Sequence, residues 1–285
     1  MTNSGMIAAL HGRPIMTMLR KLSHAVTLAT GITLAAGTAG AQGLIQEVLD
    51  RGTLRVGVAE GPPYQYPDAM SGDYVGLNID LAKEVAEIMG VELEVVPATW
   101  ATLVTGLEVE QYDVIFANLF ATPQRALSVA FTDAYDTYGF HVMVRVDSDL
   151  QTLEDVNSEG VTFAGVAGTV EAQYPAELFP NATVTELVTD QANAGPTSVL
   201  SGQSDAVLVD PGFLRILTAQ NPALAEQTRL LNGEDNLLKP VSLSYAVRHD
   251  DMDMLSFLNV FIRDKVANGV IATKRDRWFD TIAQQ

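Results

Sequence analysis

From Gly43 onward the chain alternates between two patterns. Apolar, β-rich runs of strand length are followed by stretches whose apolar residues recur at helical spacing. "TLRVGVAE", "VELEVVPA", "YDVIFANL" and "YGFHVMVRV" read as strands. "GLIQEVLDRG" reads as a helix ended by Gly52, "GLNIDLAKEVAEIMG" as a helix ended by Gly90, and "TWATLVTGLEVEQ" as a helix with Thr99 as its N-cap. "TPQRALSV" predicts a short helix capped by Thr122, and "GPPYQYPDAMSGDYV" a loop dense in breakers. The rhythm then restarts. "VTFAGVA", "ATVTELV", "SDAVLVD" and "VSLSYAVR" are strands, with helices beginning at "TLEDV", "GTVEAQYPAEL", "AGPTSVLSGQ" and "PGFLRILTAQ". Two helices, from Met252 and Val270, close the chain. Parallel strands need crossovers of helix length, so this alternation predicts parallel α/β sheets. Two successive sets predict two lobes with a cleft between them.

The first 41 residues read differently. Arg20 and Lys21 precede an apolar run from Ala25 to Ala36, and small residues follow to Ala39-Gly40-Ala41. That is the layout of a cleaved export leader, with cleavage expected after Ala41. The apolar run is too short for a bilayer, and no later run is long enough. The chain has no Cys, which excludes a disulfide framework and a lipid anchor on an N-terminal Cys. A soluble protein free in the periplasm is therefore expected. Its leader carries three cations and no acid, so removal takes the formal net charge from −18 to −21. So acidic a chain argues against nucleic acid and anionic membranes as partners.

Chemistry-bearing residues cluster where predicted strands end. Arg125 lies just past the strand "DVIFA", beside a predicted helix N-terminus. A guanidinium there can hold a carboxylate bidentately, and free N–H groups favour the same charge; a surface pair with a nearby acid is the alternative. Thr169, after Gly168, opens a helix in the second set, either as an anion-facing turn or as a plain cap. Asp210 precedes Pro211 and reads first as a cap, second as a carboxylate for an ammonium. Trp100, Tyr64 and Tyr66 could sandwich a ligand or pack in the core, and Glu60 could select among ligand side chains. The run His249, Asp250, Asp251 and Asp253 reads as a charged helix start rather than a metal cluster. No catalytic or nucleotide-binding motif occurs, and neither metal nor cofactor is expected.

Taken in order, "GTLRVGV", "ATWATLVTGLEVEQYDVIFANLFATPQRALSVAFTDAY", "GTVEA" and "SDAVLVD" resemble the periplasmic polar amino-acid-binding proteins of ABC importers, solute-binding family 3. The resemblance spans nearly all of the chain beyond the leader. It implies a two-lobed type II periplasmic binding fold, each lobe a mixed sheet flanked by helices, joined by two hinge strands. Residues 42–137 and 244–285 would form one lobe, and 138–243 the other. It implies a monomer that binds an amino acid and delivers it to a membrane permease. Arg125 would grip the α-carboxylate with help from backbone near Phe120 and Thr169, Asp210 would bind the α-ammonium, and Trp100 would line the side-chain pocket. The sequence departs from the family pattern at Asn118 and Phe120, at Glu60-Gly61 with Tyr64 slightly later, and at Val170. These departures remove the familiar side-chain selectors. A dehydratase-like enzyme on the same scaffold is the alternative, with Glu60 or Glu171 as its acid/base.

Overall fold

The structure, a computed structural model, describes residues 43–189, 191–233 and 235–283. The expected leader lies outside them. Helix α1 (Leu44–Arg51) ends at Gly52, whose φ of 73° is the left-handed conformation that suits a C-cap glycine. Strand β1 (Thr53–Val58) follows. The breaker-rich loop contains a small ribbon, β2 (Tyr66–Pro67) with β3 (Tyr74–Val75). Then come α2 (Leu77–Met89), β4 (Glu92–Pro97), α3 (Leu103–Glu108) and β5 (Val114–Phe120). A 3-10 turn (Arg125–Leu127) and β6 (Ala130–Phe131) lead into the long β7 (Asp136–Arg145). The second set runs α4 (Leu153–Val156), β8 (Thr162–Val166), α5 (Val170–Leu178), β9 (Thr183–Leu187), α6 (Ala194–Leu200), β10 (Ala206–Val209) and α7 (Pro211–Gln220). Helix α8 (Pro222–Gln227), β11 (Thr228–Leu230), β12 (Leu238–Val247), α9 (Met252–Ala267) and α10 (Val270–Ile282) complete it.

The strands pair in the order β4-β1-β5-β12-β7-β10-β8-β9, with β6 added on β12 and β11 on β7. Strand β1 runs parallel to β4 and β5, and β8 parallel to β9 and β10. Strand β12 lies antiparallel to β5, and β7 antiparallel to β10. The long strands β7 and β12 pair with each other at the centre, with a register shift between Leu238 and Val241. Each half is thus a parallel α/β set closed by one antiparallel strand, as a two-lobed fold requires. None of the helices among the described residues is long and apolar enough to cross a membrane.

Two helices differ from expectation. Helix α3 starts at Leu103 rather than at a Thr99 cap, because the Thr99 and Thr102 hydroxyls bond each other at 2.9 Å and Thr102 N–H returns to Thr99 O. The segment after β5 makes only one 3-10 turn; Thr122 Oγ1 does accept from Arg125 N–H at 3.2 Å, but the helix goes no further. Strands β6 and β11 and helix α8 are short additions that no periodicity announced.

One buried charge ties the entry to the first lobe. Asp113, with no exposed surface, accepts from Arg55 N–H at 2.8 Å, from Arg55 Nη2 at 2.7 Å and from Arg51 Nη2. A buried acceptor with several charged donors contributes more than an exposed ion pair. Asp113→Ala should lower unfolding free energy by about 2 kcal/mol. Asp280→Ala, which breaks the exposed pair with Arg215, should cost under about 0.5 kcal/mol. Denaturant unfolding of the two variants checks the contrast.

Candidate functional site

The order of the sheet decides where its loops meet. Glu60 follows β1, Asn118 and Phe120 end β5 just before Arg125, Gly168 and Thr169 follow β8, and Asp210 follows β10. All sit at the carboxyl ends of parallel strands, where open α/β sheets leave a crevice. The structure gathers them around one cavity. Arg125, Asp210, Trp100, Thr169, Asn118, Phe120, Tyr64 and Glu60 all line it, together with Glu171. About 800 Å³ of space lies between the lining atoms, part of it open solvent.

Arg125 spans the cavity wall. Its Nη1 donates to Phe120 O at 2.8 Å and its Nη2 to Gly168 O at 2.7 Å. The second bond joins the first β/α set to the second. Burial lowers the pKa of the guanidinium, and the neighbouring Glu171 charge works against that. The group stays cationic, since no protein environment deprotonates Arg at neutral pH. The two sets also touch at Gly168, whose φ is +84°. A Cβ there would lie 2.6 Å from both Ala101 Cα and Ala101 N, so only glycine lets the two turns approach this closely.

Thr169 does not cap α5. Its N–H lies 3.1 Å and its hydroxyl 2.8 Å from Val166 O, and its side chain makes no cap bond to the helix. Asp210 does cap: its Oδ1 accepts from Phe213 N–H at 2.9 Å, and the carboxyl still faces the cavity. The Trp100 indole is pinned by Nε1 donating to Glu60 O at 2.9 Å. Tyr64 lines the cavity but is only 3 % exposed; its hydroxyl bonds Tyr138 at 2.7 Å and its ring meets Phe279 edge-on. Tyr66 packs edge-on to Trp278 and takes no part in the lining.

A residue the sequence did not single out organises this wall. Gln65 is fully buried, and its Nε2 donates to Ala59 O at 2.6 Å and to Asn118 Oδ1 at 2.7 Å. Its Oε1 accepts from Asn78 Nδ2 at 2.8 Å, and Asn78 Oδ1 accepts from the Tyr245 hydroxyl at 2.9 Å. The chain of bonds fixes Asn118 with its carbonyl turned inward, which leaves its amide N–H groups for the cavity. A polar Gln between two tyrosines of a loop was the signal available, and it is a weak one.

The second set supplies the acids. Burial pushes the Glu171 carboxyl up to about 7, and the Asp210 charge adds to this, while hydrogen bonds from its own N–H and from Thr169 and the Arg125 charge pull it back. Burial likewise raises Asp210 to about 6, against hydrogen bonds from Phe213, Gly212 and its own N–H, with Asp136 adding to the rise. The Asp250 to Asp253 run opens α9, and Asp253 Oδ2 accepts from Ile45 N–H at 2.9 Å. No group among the described residues is arranged to hold a metal ion.

Comparison with known proteins matches residues 54–281 to the bacterial extracellular solute-binding proteins, family 3. The chain is 24% identical over 244 residues to the L-cystine-binding protein TcyJ of Escherichia coli (strain K12), covering 84% of this chain and 86% of that protein. It is 24% identical over 212 residues to cyclohexadienyl dehydratase of Pseudomonas aeruginosa, covering 73% and 78%. The structure of a mutant of ArgBP from T. maritima matches with a TM-score of 0.72 at 32% identity, over 83% of this chain and 99% of that one.

The raised carboxyls have a consequence for stability. A carboxyl whose pKa is higher in the fold than in the unfolded chain binds its proton more tightly when folded. Its contribution is fully present below the unfolded value of about 4 and is lost as pH rises. For Asp210 and Glu171 the loss runs through about 6 and about 7. The melting temperature of the ligand-free protein should fall from this source between roughly pH 4 and pH 7. Glu171→Gln should flatten the upper part of that fall. Thermal unfolding of both proteins across this range checks it, and parallel curves would contradict it.

Proposed function

Because the chain belongs to the bacterial extracellular solute-binding proteins of family 3, we propose that it captures an amino acid or a similar small zwitterion and delivers it to an ABC permease in the membrane. The supporting observation is the polarity of one cavity. Arg125 and the Asn118 amide supply donors for a carboxylate on one wall, and Asp210 supplies an acceptor for an ammonium on another. Residues 42–137 and 244–285 form one lobe and 138–243 the other, hinged where β7 and β12 cross between them. Closing them traps the ligand, a hinge transition. The protein works as a monomer in the periplasm, exported by a leader cut after Ala41. It needs no cofactor, and its −21 charge after leader removal disfavours nucleic acid.

One observation favours a second reading. Glu171, raised to about 7 inside a cleft, has the pKa of a general acid or base, and a dehydratase is among the relatives. Binding without turnover is the reading we adopt. The cavity's donors, Arg125 and the Asn118 amide, and its acceptor Asp210 suit a zwitterion. Mass analysis of an amino-acid mixture after prolonged incubation with the protein separates the two. The expected result is unchanged ligand, and a dehydrated or decarboxylated product would establish an enzyme.

The carboxylate clamp is directly testable. Arg125→Ala should weaken binding of any amino-acid ligand by at least about a hundredfold, since a charged bidentate contact contributes roughly 3 kcal/mol. Calorimetry measures it, with circular dichroism to show that the fold is intact; unchanged affinity would remove Arg125 from the role.

A further inference from the structure

We infer that Gln65 is a positioning residue for ligand binding: from behind the cavity wall it holds the Asn118 side-chain amide with its N–H groups toward the ligand's carboxylate. The inference rests on the amino-acid-binding reading above and deepens it. Its ground is that the direction of every bond behind Asn118 is fixed. A side-chain amide turned end for end keeps its shape but offers an acceptor where it offered a donor. Facing an anion, only one of the two orientations binds. Gln65 has no exposed surface and does not line the cavity, whereas Asn118 does. Gln65 Nε2 lies 2.6 Å from Ala59 O, a carbonyl that can only accept. The backbone therefore sets which end of Gln65 carries the nitrogen. The Asn118 atom 2.7 Å from that nitrogen must then be the acceptor Oδ1, which turns Nδ2 to the cavity side.

The rest of the network holds Gln65 in turn. Its Oε1 accepts from Asn78 Nδ2 at 2.8 Å, and Asn78 Oδ1 accepts from the Tyr245 hydroxyl at 2.9 Å. Asn78 Nδ2 also reaches the Tyr135 hydroxyl at 3.3 Å, and that hydroxyl donates to Ala117 O at 3.4 Å. The network thus ends on two backbone carbonyls, Ala59 O and Ala117 O, and each donor in it has an acceptor. The Tyr245 ring stacks on Phe116 and on Tyr135, with centroids 4.1 and 4.7 Å away, which holds the hydroxyls in place. Reversing Gln65 would set its oxygen against Ala59 O and its N–H groups against those of Asn78, a loss at both buried ends. Reversing Asn118 alone would set its N–H groups against those of Gln65. The pair also needs Gly61, where a Cβ would lie 2.5 Å from Asn118 Oδ1 and 2.9 Å from Gln65 Nε2. Asn118 and Phe120 are two apart on β5 and share a face, and Phe120 O holds Arg125 Nη1. Amide and guanidinium therefore stand at one strand end, an arrangement that suits the two oxygens of a single carboxylate.

Calorimetric titration with L-arginine, L-glutamine and L-cystine provides the test, on the wild-type protein, Gln65→Met, Asn118→Ala and the double variant. Met keeps the length of Gln and removes both its donor and its acceptor. For whichever amino acid binds the wild type, each single variant should weaken affinity about tenfold, as the loss of a hydrogen bond to a charged group implies. The double variant should lose no more than Asn118→Ala alone, because Gln65 acts through Asn118. A second readout is the Asn118 side-chain amide resonance of isotope-labelled protein, assigned by its disappearance in Asn118→Ala. It should shift when that amino acid is added to the wild type and shift less in Gln65→Met. If Gln65→Met does not fold, the wild-type shift alone decides. Additive losses in the double variant, unchanged affinity in Gln65→Met, or a wild-type Asn118 resonance that the amino acid leaves in place would overturn the inference and leave the amino-acid-binding reading standing. Binding of none of the three by the folded wild type would count against that reading itself, and the inference would fall with it.

Discussion

The architecture of the site depends on one guanidinium held by two backbone carbonyls. Arg125 donates to Phe120 O from its own strand end and to Gly168 O from across the cleft. Those bonds satisfy part of a buried cation's demand without neutralising it, because carbonyls are dipoles and not charges. The positive charge is therefore left for an anion that the protein itself does not provide. Glu171 is near enough to be felt, yet it forms no ion pair with Arg125 among the described residues and is raised rather than lowered in pKa, so it does not neutralise the arginine. A cation in the first turn of a full helix would also oppose the helix dipole. The segment avoids that conflict by making a single 3-10 turn.

Topology explains why such a group can exist at all. Strand β5 delivers Arg125 and β8 delivers Gly168, and these belong to opposite halves of the strand order. Only the central antiparallel strands β7 and β12 join the halves in the sheet. Loops at the carboxyl ends of both parallel sets thus face one another, and contacts between them are tertiary, not local. The close approach at Gly168 and Ala101 shows how tightly they meet.

Much of this was legible in the sequence, for a physical reason. Strand and helix periods are local, so the alternation from Gly43 foretold the parallel sets, and the capping glycines Gly52 and Gly90 foretold where helices stop. The strand-end rule pointed to Arg125, and the resemblance to solute-binding family 3 drew Thr169 and Asp210 to the same ligand. Reading failed where a side chain had a nonlocal or competing choice. Thr99 found Thr102, and Thr169 found Val166 O, so neither caps its helix. Gln65 reaches Asn118 across 53 residues and Asn78 reaches Tyr245 across 167, and no period in the sequence encodes such partners. The elevated carboxyl of Glu171 is likewise a property of enclosure, which a sequence does not display.

Enclosure also couples charge to motion. With the cleft open, water solvates Glu60, Glu171 and Asp210, and their mutual repulsion is weak. Closing removes that water and makes every uncompensated carboxylate more expensive, either as a bound proton or as unscreened repulsion. A ligand shifts the equilibrium toward closure only by the amount it prefers the closed state. Arg125 already joins the two β/α sets through its bond to Gly168 O. A ligand that lacked a carboxylate would leave that buried cation to its two carbonyls alone.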